Sequence, residues 1–439
     1  MIAGALASLA TLFVACAQTT HARPYPQSQD GFVFGTHALW SRTISGGEAV
    51  GIYGATVVIR TENGIEGLDA RTAARLWKRK ESKGSFALGG SQLFLVVGST
   101  IELLDARTGA SKWRSAPLCR VPRKVPSYTT ILGTRLYVGC TGGEIFALAP
   151  STGHVLASAR PVILDNYDQM IRLGRNTMGI AGKASGAFMF RRSAIVNRDT
   201  LSTVVAFSPD VSFIGVRNGE ALVADTCCQG LHSDTWPATI ERVSLANGNI
   251  TSNTSLHPYG QPLPLDKDQP GPGKLLLVGH SLYVATHSAL FAYDLADLRA
   301  RPRILYDDML DLPQIIDNRY LLVRMGEKGV QRRVALLDAR ADMRELWSTS
   351  TSAWMPSGFW TPRQGPSLSL ETSVNGRRVA KIISLHNWQE LQIDGDCQLS
   401  ISSSRYALTY CWSPPRPARM QMYTFGARTA SRSVGGGGR

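Results

Sequence analysis

Short apolar runs alternate with glycine- and asparagine-bearing turns along nearly the whole chain. From Ala55 the sequence reads ATVVIRTENGIEG, and from Ser91 SQLFLVVGSTIEL, each a β-branched or aromatic stretch, a turn and a second stretch. An aspartate-bearing turn and a further stretch follow both: LDARTAARLWKRK from Leu68 and LDARTGASKWRSA from Leu104, 36 residues apart. The pattern predicts a unit of strand, turn, strand, Asp turn, strand. Its recurrence marks a repeat protein.

Weaker copies extend the rhythm, with units recurring every 36 to 48 residues. They read TRLYVGCTGGEIFALAPSTGHVLASA from Thr134, FRRSAIVNRDTLSTVVAF from Phe190 as a degenerate unit, ATIERVSLANGNITSNTSL from Ala238 and HSLYVATHSALFAYDLADL from His280. VALLDARADMRELWSTS from Val334 and VAKIISLHNWQELQI from Val379 complete the series. Asp69 and Asp105 stand where a carboxylate accepts backbone N–H groups across a turn, Thr108 serves the same end, and Gly109 admits a positive φ without a Cβ. Trp77, Trp113 and, after Asp338, Trp347 fall on the outgoing strands. With Trp40 they are read as wedges between neighbouring units rather than as ligand-stacking groups.

The run LDARTG, followed by three residues and Trp, resembles the repeat of quinoprotein-type β-propellers. That family includes the pyrroloquinoline-quinone (PQQ) dehydrogenases and the non-enzymatic lipoprotein of the outer-membrane β-barrel assembly machine. The resemblance is strong from Asp69 to Trp77 and from Asp105 to Trp113, fair from Asp338 to Trp347 and faint elsewhere. It implies an all-β fold, a closed propeller of four-stranded antiparallel blades. Eight blades are favoured, with seven or nine left open because the middle copies are degenerate. Fold transfers across such a family more readily than function.

ALWSRTI from Ala38 reads as an outgoing strand with no preceding partner, while SRYALTYCWS from Ser402 and ARMQMYTF from Ala418 lack one at the other end. The first strand is therefore expected to complete the last blade and remove open edges. The expected organisation is a leader over 1–17, a linker over 18–34, one propeller over 35–428 and a tail over 429–439. Two proline-rich connections, SLHPYGQPLPLDKDQPGPGK from Ser255 and WSPPRPARM from Trp412, interrupt the rhythm.

Composition fits a globular chain: 44% of the 439 residues are hydrophobic and 18% charged, with 42 glycines and 22 prolines for turns. The opening MIAGALASLATLFVA bears no charged side chain and is too short to span a bilayer, so it reads as the apolar part of a signal peptide. Export to the periplasm, outer membrane or extracellular space follows. Cleavage after Ala17 and lipidation of Cys16, in the box Phe13-Val14-Ala15-Cys16, are both open. Six further cysteines in an oxidising compartment suggest disulfides, with Cys119–Cys140 and Cys397–Cys411 each placed to link neighbouring strands of one repeat. The net charge of +14 would suit acidic partners, among them anionic lipid headgroups, envelope polyanions or an acidic protein face, although an ordinary solvated basic surface is the favoured reading. Nucleic acid is disfavoured by export and by the absence of a long basic run.

Chemistry is sparse. Cys227 and Cys228 are adjacent, as in the vicinal disulfide that quinone-dependent alcohol dehydrogenases hold against their cofactor, which makes them weak cofactor-binding candidates. The calcium-holding acids and amides and a C-x-x-C-H haem motif do not accompany them. His232, His257, His280 and His287 show no metal-ligand spacing, and Asp307, Asp308 and Asp311 lack the pattern of a calcium loop. No catalytic residue, metal site or bound cofactor is expected. The sequence thus predicts a non-catalytic, monomeric envelope propeller that binds a protein or anionic polymer. The alternative is a PQQ-dependent oxidoreductase.

Overall fold

A computed structural model describes residues 38–43, 48–80, 85–89, 92–119, 126–161, 166–184, 190–207, 211–225, 239–256, 274–285, 289–310, 313–316, 319–327, 330–350, 367–374, 377–385, 390–394, 397–411 and 418–425. Nearly all of the regular structure is strand, sorted into antiparallel meanders. The first seven lie, in chain order, over residues 48–79, 85–114, 126–159, 166–206, 211–255, 274–306 and 314–350, each of four strands. An eighth, over 367–394, shows three strands, and a ninth, over 397–424, takes its fourth from Trp40–Thr43 at the other end of the chain.

That last pairing runs Trp40 opposite Met422 and Thr43 opposite Arg419. The first strand therefore completes the last blade, as its lone sequence had predicted. Nine sheets in all, eight of four strands and one of three among the described residues, are one more than the favoured eight blades and reach the upper end of the range left open. The repeat of the three-stranded sheet is the one whose fourth strand the sequence does not mark, because after LHNWQELQI the chain turns at once into the next unit.

Apolar side chains cluster between blades. Each of nine buried clusters draws on two successive blades, and the series returns to its start. Val58, Ile65 and Trp77 meet Leu93 and Leu95 between the first two blades, while Ile401, Leu408 and Met422 of the ninth meet Val57, Ile59 and Leu68 of the first. Burying large apolar side chains on both faces of every sheet is the main source of stability in such an arrangement. It also explains why the strands read as nearly continuous hydrophobic runs: Leu93, Phe94, Leu95 and Val57, Val58, Ile59 are all fully buried.

Adjacent turns of an antiparallel meander alternate between its two ends. The turn joining first and second strands and the turn joining third and fourth strands share one end. Contacts across blades hold these ends on a common side: Arg135 of a first turn in the third blade pairs at 2.8 Å with Asp199 of a third turn in the fourth. Arg71 likewise reaches the Tyr406 hydroxyl in the ninth blade. The propeller so has one face of first and third turns, and an opposite face of second turns and inter-blade connections.

Candidate functional site

The third turn of each blade is the most regular local structure. Asp69 Oδ1 accepts the backbone N–H groups of Arg71 and Thr72, each at 2.9 Å, together with the Thr72 hydroxyl. Asp105 repeats this with Arg107 and Thr108, and Asn197 substitutes an amide oxygen with Asp199 and Thr200. Thr108 in turn accepts from the Ala110 N–H, and Gly109 takes φ 71°. The turn chemistry predicted for Asp105, Thr108 and Gly109 is present in full.

These hydrogen bonds hold the Asp69 carboxyl below the usual range, first through the Arg71 N–H. For Asp105 the Lys112 ammonium contributes most, with the Thr108 N–H next. Asp338 is nearly buried, which pushes its carboxyl up, but bonds from Arg319 at 3.0 and 2.6 Å and from the Arg340 N–H more than offset this and lower it.

The tryptophans dock onto these turns. Trp40 Nε1 donates to the Ala70 carbonyl at 3.0 Å, Trp77 to Ala106 at 2.8 Å and Trp113 to Pro150 at 2.9 Å. Every acceptor is the residue after the turn's first position, on the next blade. The indole also covers the turn's glycine: a Cβ built on Gly109 would lie 2.5 Å from the Trp77 ring, and one on Gly153 2.4 Å from Trp113. Trp347 is buried between the seventh and eighth blades. The role of inter-blade wedge is thereby seen directly.

Where tryptophan is missing, another donor reaches the equivalent carbonyl. Tyr137 Oη donates to Arg198 O at 3.1 Å, Arg242 to Leu295 O and Tyr283 to Ala339 O at 3.4 Å. Beneath the first two docks lies a charged one. Arg42 reaches Glu66 at 3.1 Å and Arg79 reaches Glu102 at 3.2 Å, with both glutamates 4% exposed. The sequence reading overlooked these groups. Trp-x-Arg at Trp40 and Trp77, and a Glu three residues before Asp69 and Asp105, were the available signals.

Both expected disulfides are present, but one differs in kind. Cys397 and Cys411 lie directly opposite on adjacent strands of the ninth blade. Cys140 ends a second strand of the third blade, whereas Cys119 belongs to no strand and lies in the connection leaving the second blade. That bridge corrects the expectation of a link within one repeat. The chain beyond Arg114 does not start a new strand at once: the N–H groups of Ser115 and Leu118 bond back to Ile101 and Ser99, carrying Cys119 along the second blade.

Other candidates are dispersed. His280 occupies a first turn of the sixth blade against Arg217, and Asp307 and Asp308 follow that blade's fourth strand, exposed. Cys16, Cys227, Cys228, His232, His257, His287 and Asp311 lie outside the described residues, as do most of both proline-rich connections. Among the described residues no His, Cys, Asp and Glu side chains gather into a set able to hold a metal ion, and no helix is long and apolar enough to cross a membrane.

Residues 35–179 match the family described as outer membrane protein assembly factor BamB. The match covers the first three blades, part of the fourth and the strand at Trp40, and so takes in the repeats at Asp69–Trp77 and Asp105–Trp113. BamB from Moraxella catarrhalis is a similar solved structure, at 14% identity over 79% of this chain and 96% of that chain, TM-score 0.39. The quinohemoprotein alcohol dehydrogenase ADHIIG from Pseudomonas putida HK5 is similar at 11% identity, over 89% and 76% of the two chains, TM-score 0.44. A eukaryotic initiation factor gives 13%, 84%, 93% and 0.49. No curated protein matches the chain in sequence.

Proposed function

We propose that the protein is a non-catalytic scaffold of the cell envelope that binds a protein partner along its rim, secreted or held by lipid at Cys16. The observation that carries this reading is the outer edge. The fourth strands form hydrogen bonds on one side only among the described residues, and they or their flanks expose Leu76, Val155, Leu156, Ile250 and Ile304. An open strand edge with apolar side chains beside it is a site for an added partner strand. The match of residues 35–179 to an assembly-factor family accords with it.

A photo-crosslinking residue placed at Leu156 or Ile304 in the living cell is expected to trap one discrete protein, while the same residue at Glu62 on the opposite face does not. Absence of any discrete adduct from the rim positions would sink the reading. The quinone-dependent alternative has its own decisive measurement: saturable one-to-one binding of PQQ with calcium, followed by tryptophan fluorescence. Such binding would replace the scaffold by an oxidoreductase.

A further inference from the structure

The outermost strand of a blade turns alternate backbone N–H and C=O groups toward whatever lies beside it, and folded proteins guard such edges with lysine, arginine or bulges. Leu76 in the first blade and Leu156 in the third show a guarded and an unguarded edge. Each is the unpaired residue of a bulge: Leu76 falls between the partners of Leu68 and Gly67, and Leu156 between those of Leu148 and Ala147. Their exposure is nearly equal, 45% and 47%. Around Leu76 the strand reads RLWKR, with Arg75 and Lys78 exposed, whereas around Leu156 it reads VLASA.

Charge sorts the outermost strands into two sets. Those of the third, fourth and fifth blades, Val155–Ala159, Thr203–Ala206 and Ile250–Ser255, contain no charged side chain. Every other outermost strand among the described residues carries arginine or lysine, the closing strand Trp40–Thr43 included. In the fourth blade the Thr203 hydroxyl donates at 3.1 Å to the Pro161 carbonyl of the connection leaving the third, and Val204 and Val205 pack against the core. In the fifth, Thr251 and Asn253 bond back to Glu220 and Glu241 at 2.6 and 3.4 Å. Covering such a polar row costs desolvation. The third blade's strand instead exposes Val155, Leu156 and Ser158, while Ala157 and Ala159 pack inward. His154 precedes it and Arg160 follows it.

We infer that the third blade takes a fifth strand along Val155–Ala159: an extended segment of a partner protein, free of charged side chains and apolar at alternate positions. An added strand satisfies the row of backbone groups at the edge. Its side chains are uncharged because a charge laid beside Val155 and Leu156 would lose water without gaining a counter-ion from this strand. A second copy of the chain is the competing occupant. Two closed rings meeting rim to rim touch at little beyond these residues, short of what a stable dimer buries, whereas an extended segment meets no such limit. The inference rests on the rim-binding reading and narrows it to one edge.

The test is fluorescence anisotropy of a labelled, end-capped peptide alternating valine and threonine over about eight residues, titrated with the full chain. Saturable binding is expected. Leu156→Lys/Ser158→Lys should weaken it roughly tenfold, whereas Leu76→Lys, a charge at the matching bulge of the first blade, should change it by less than about twofold. The same peptide N-methylated at alternate residues lacks the donors of a ladder and should not bind. No binding of the unmodified peptide, or equal binding of the N-methylated one, would overturn the inference. Equal weakening by the two variants would also overturn it, leaving rim binding without this edge. A wild-type dimer in light scattering that Leu156→Lys/Ser158→Lys dissolves would put a second copy in the partner's place. The rim-binding reading fails by a different result, the lack of a discrete crosslink from every rim position. Ser158→Lys alone, at an exposed side chain, carries the comparison if thermal unfolding shows the double variant to be destabilised.

Discussion

Gly109 meets two demands at once, a left-handed φ of 71° and an indole 2.5 Å from where a Cβ would stand. Gly109→Ala adds about 1–2 kcal/mol of backbone strain to about 1–3 kcal/mol of crowding against a ring held by its own hydrogen bond. Denaturant unfolding should show a loss of at least about 2 kcal/mol. In the first blade the same turn position is held by Ala73 at φ 59°. Ala73→Gly relieves that strain at the loss of one partly buried methyl packed beside the cluster of Trp40, and a net gain of no more than about 1 kcal/mol is expected. Leu201, at φ 60° yet fully buried, should instead lose stability when changed to glycine, because its packing outweighs the strain. One turn thus predicts opposite signs at two positions, according to what the side chain touches.

Between elements, the dock rather than the tryptophan is what recurs. Removing Arg79 alone leaves the Glu102 carboxylate buried against its neighbours. Arg79→Met should cost about 3–5 kcal/mol, much of it recovered in the double variant with Glu102→Gln. A double-mutant cycle that found the two effects additive would refute the coupling. The docks at Trp77 and Trp113 are legible in the sequence because turn and donor recur at a fixed spacing. Those of Tyr137, Arg242 and Tyr283 are not, since the same carbonyl is approached from a second or third strand by a phenol or a guanidinium. The shared Leu-Tyr-Val at Tyr137 and Tyr283 was the trace they left. Cysteine parity likewise suggests bridges, but not that Cys119 had left its strand. The rim required topology, because the exposed apolar side chains of its fourth strands come from separate blades and share no local motif.

At the scale of the whole molecule, acid and truncation probe different parts of the ring. Asp69, Asp105 and Asp338 all have lowered carboxyls in the folded state. The stability they contribute is fully present above the ordinary carboxylate range, near pH 4, and is lost as pH falls through the lowered values. Melting temperature should accordingly fall below about pH 4, and less steeply in Asp105→Asn. Deleting residues 40–43 removes the last blade's fourth strand and, with Trp40, the Ala70 dock. A large fall in melting temperature is expected, together with association through the bared strand edge, read by light scattering.

Because the final blade borrows a strand from the start of the chain, no ribosome-bound intermediate can possess a finished ring. Eight blades can form as their residues emerge, each resting on the one before, but the first retains an uncovered apolar flank until the last strand arrives. Completion is therefore reported by a single late event, the meeting of residues some of the furthest apart in the sequence. A chain cut short anywhere before Arg419 would carry that uncovered flank permanently, a built-in mark by which a protease or chaperone could tell unfinished copies from finished ones.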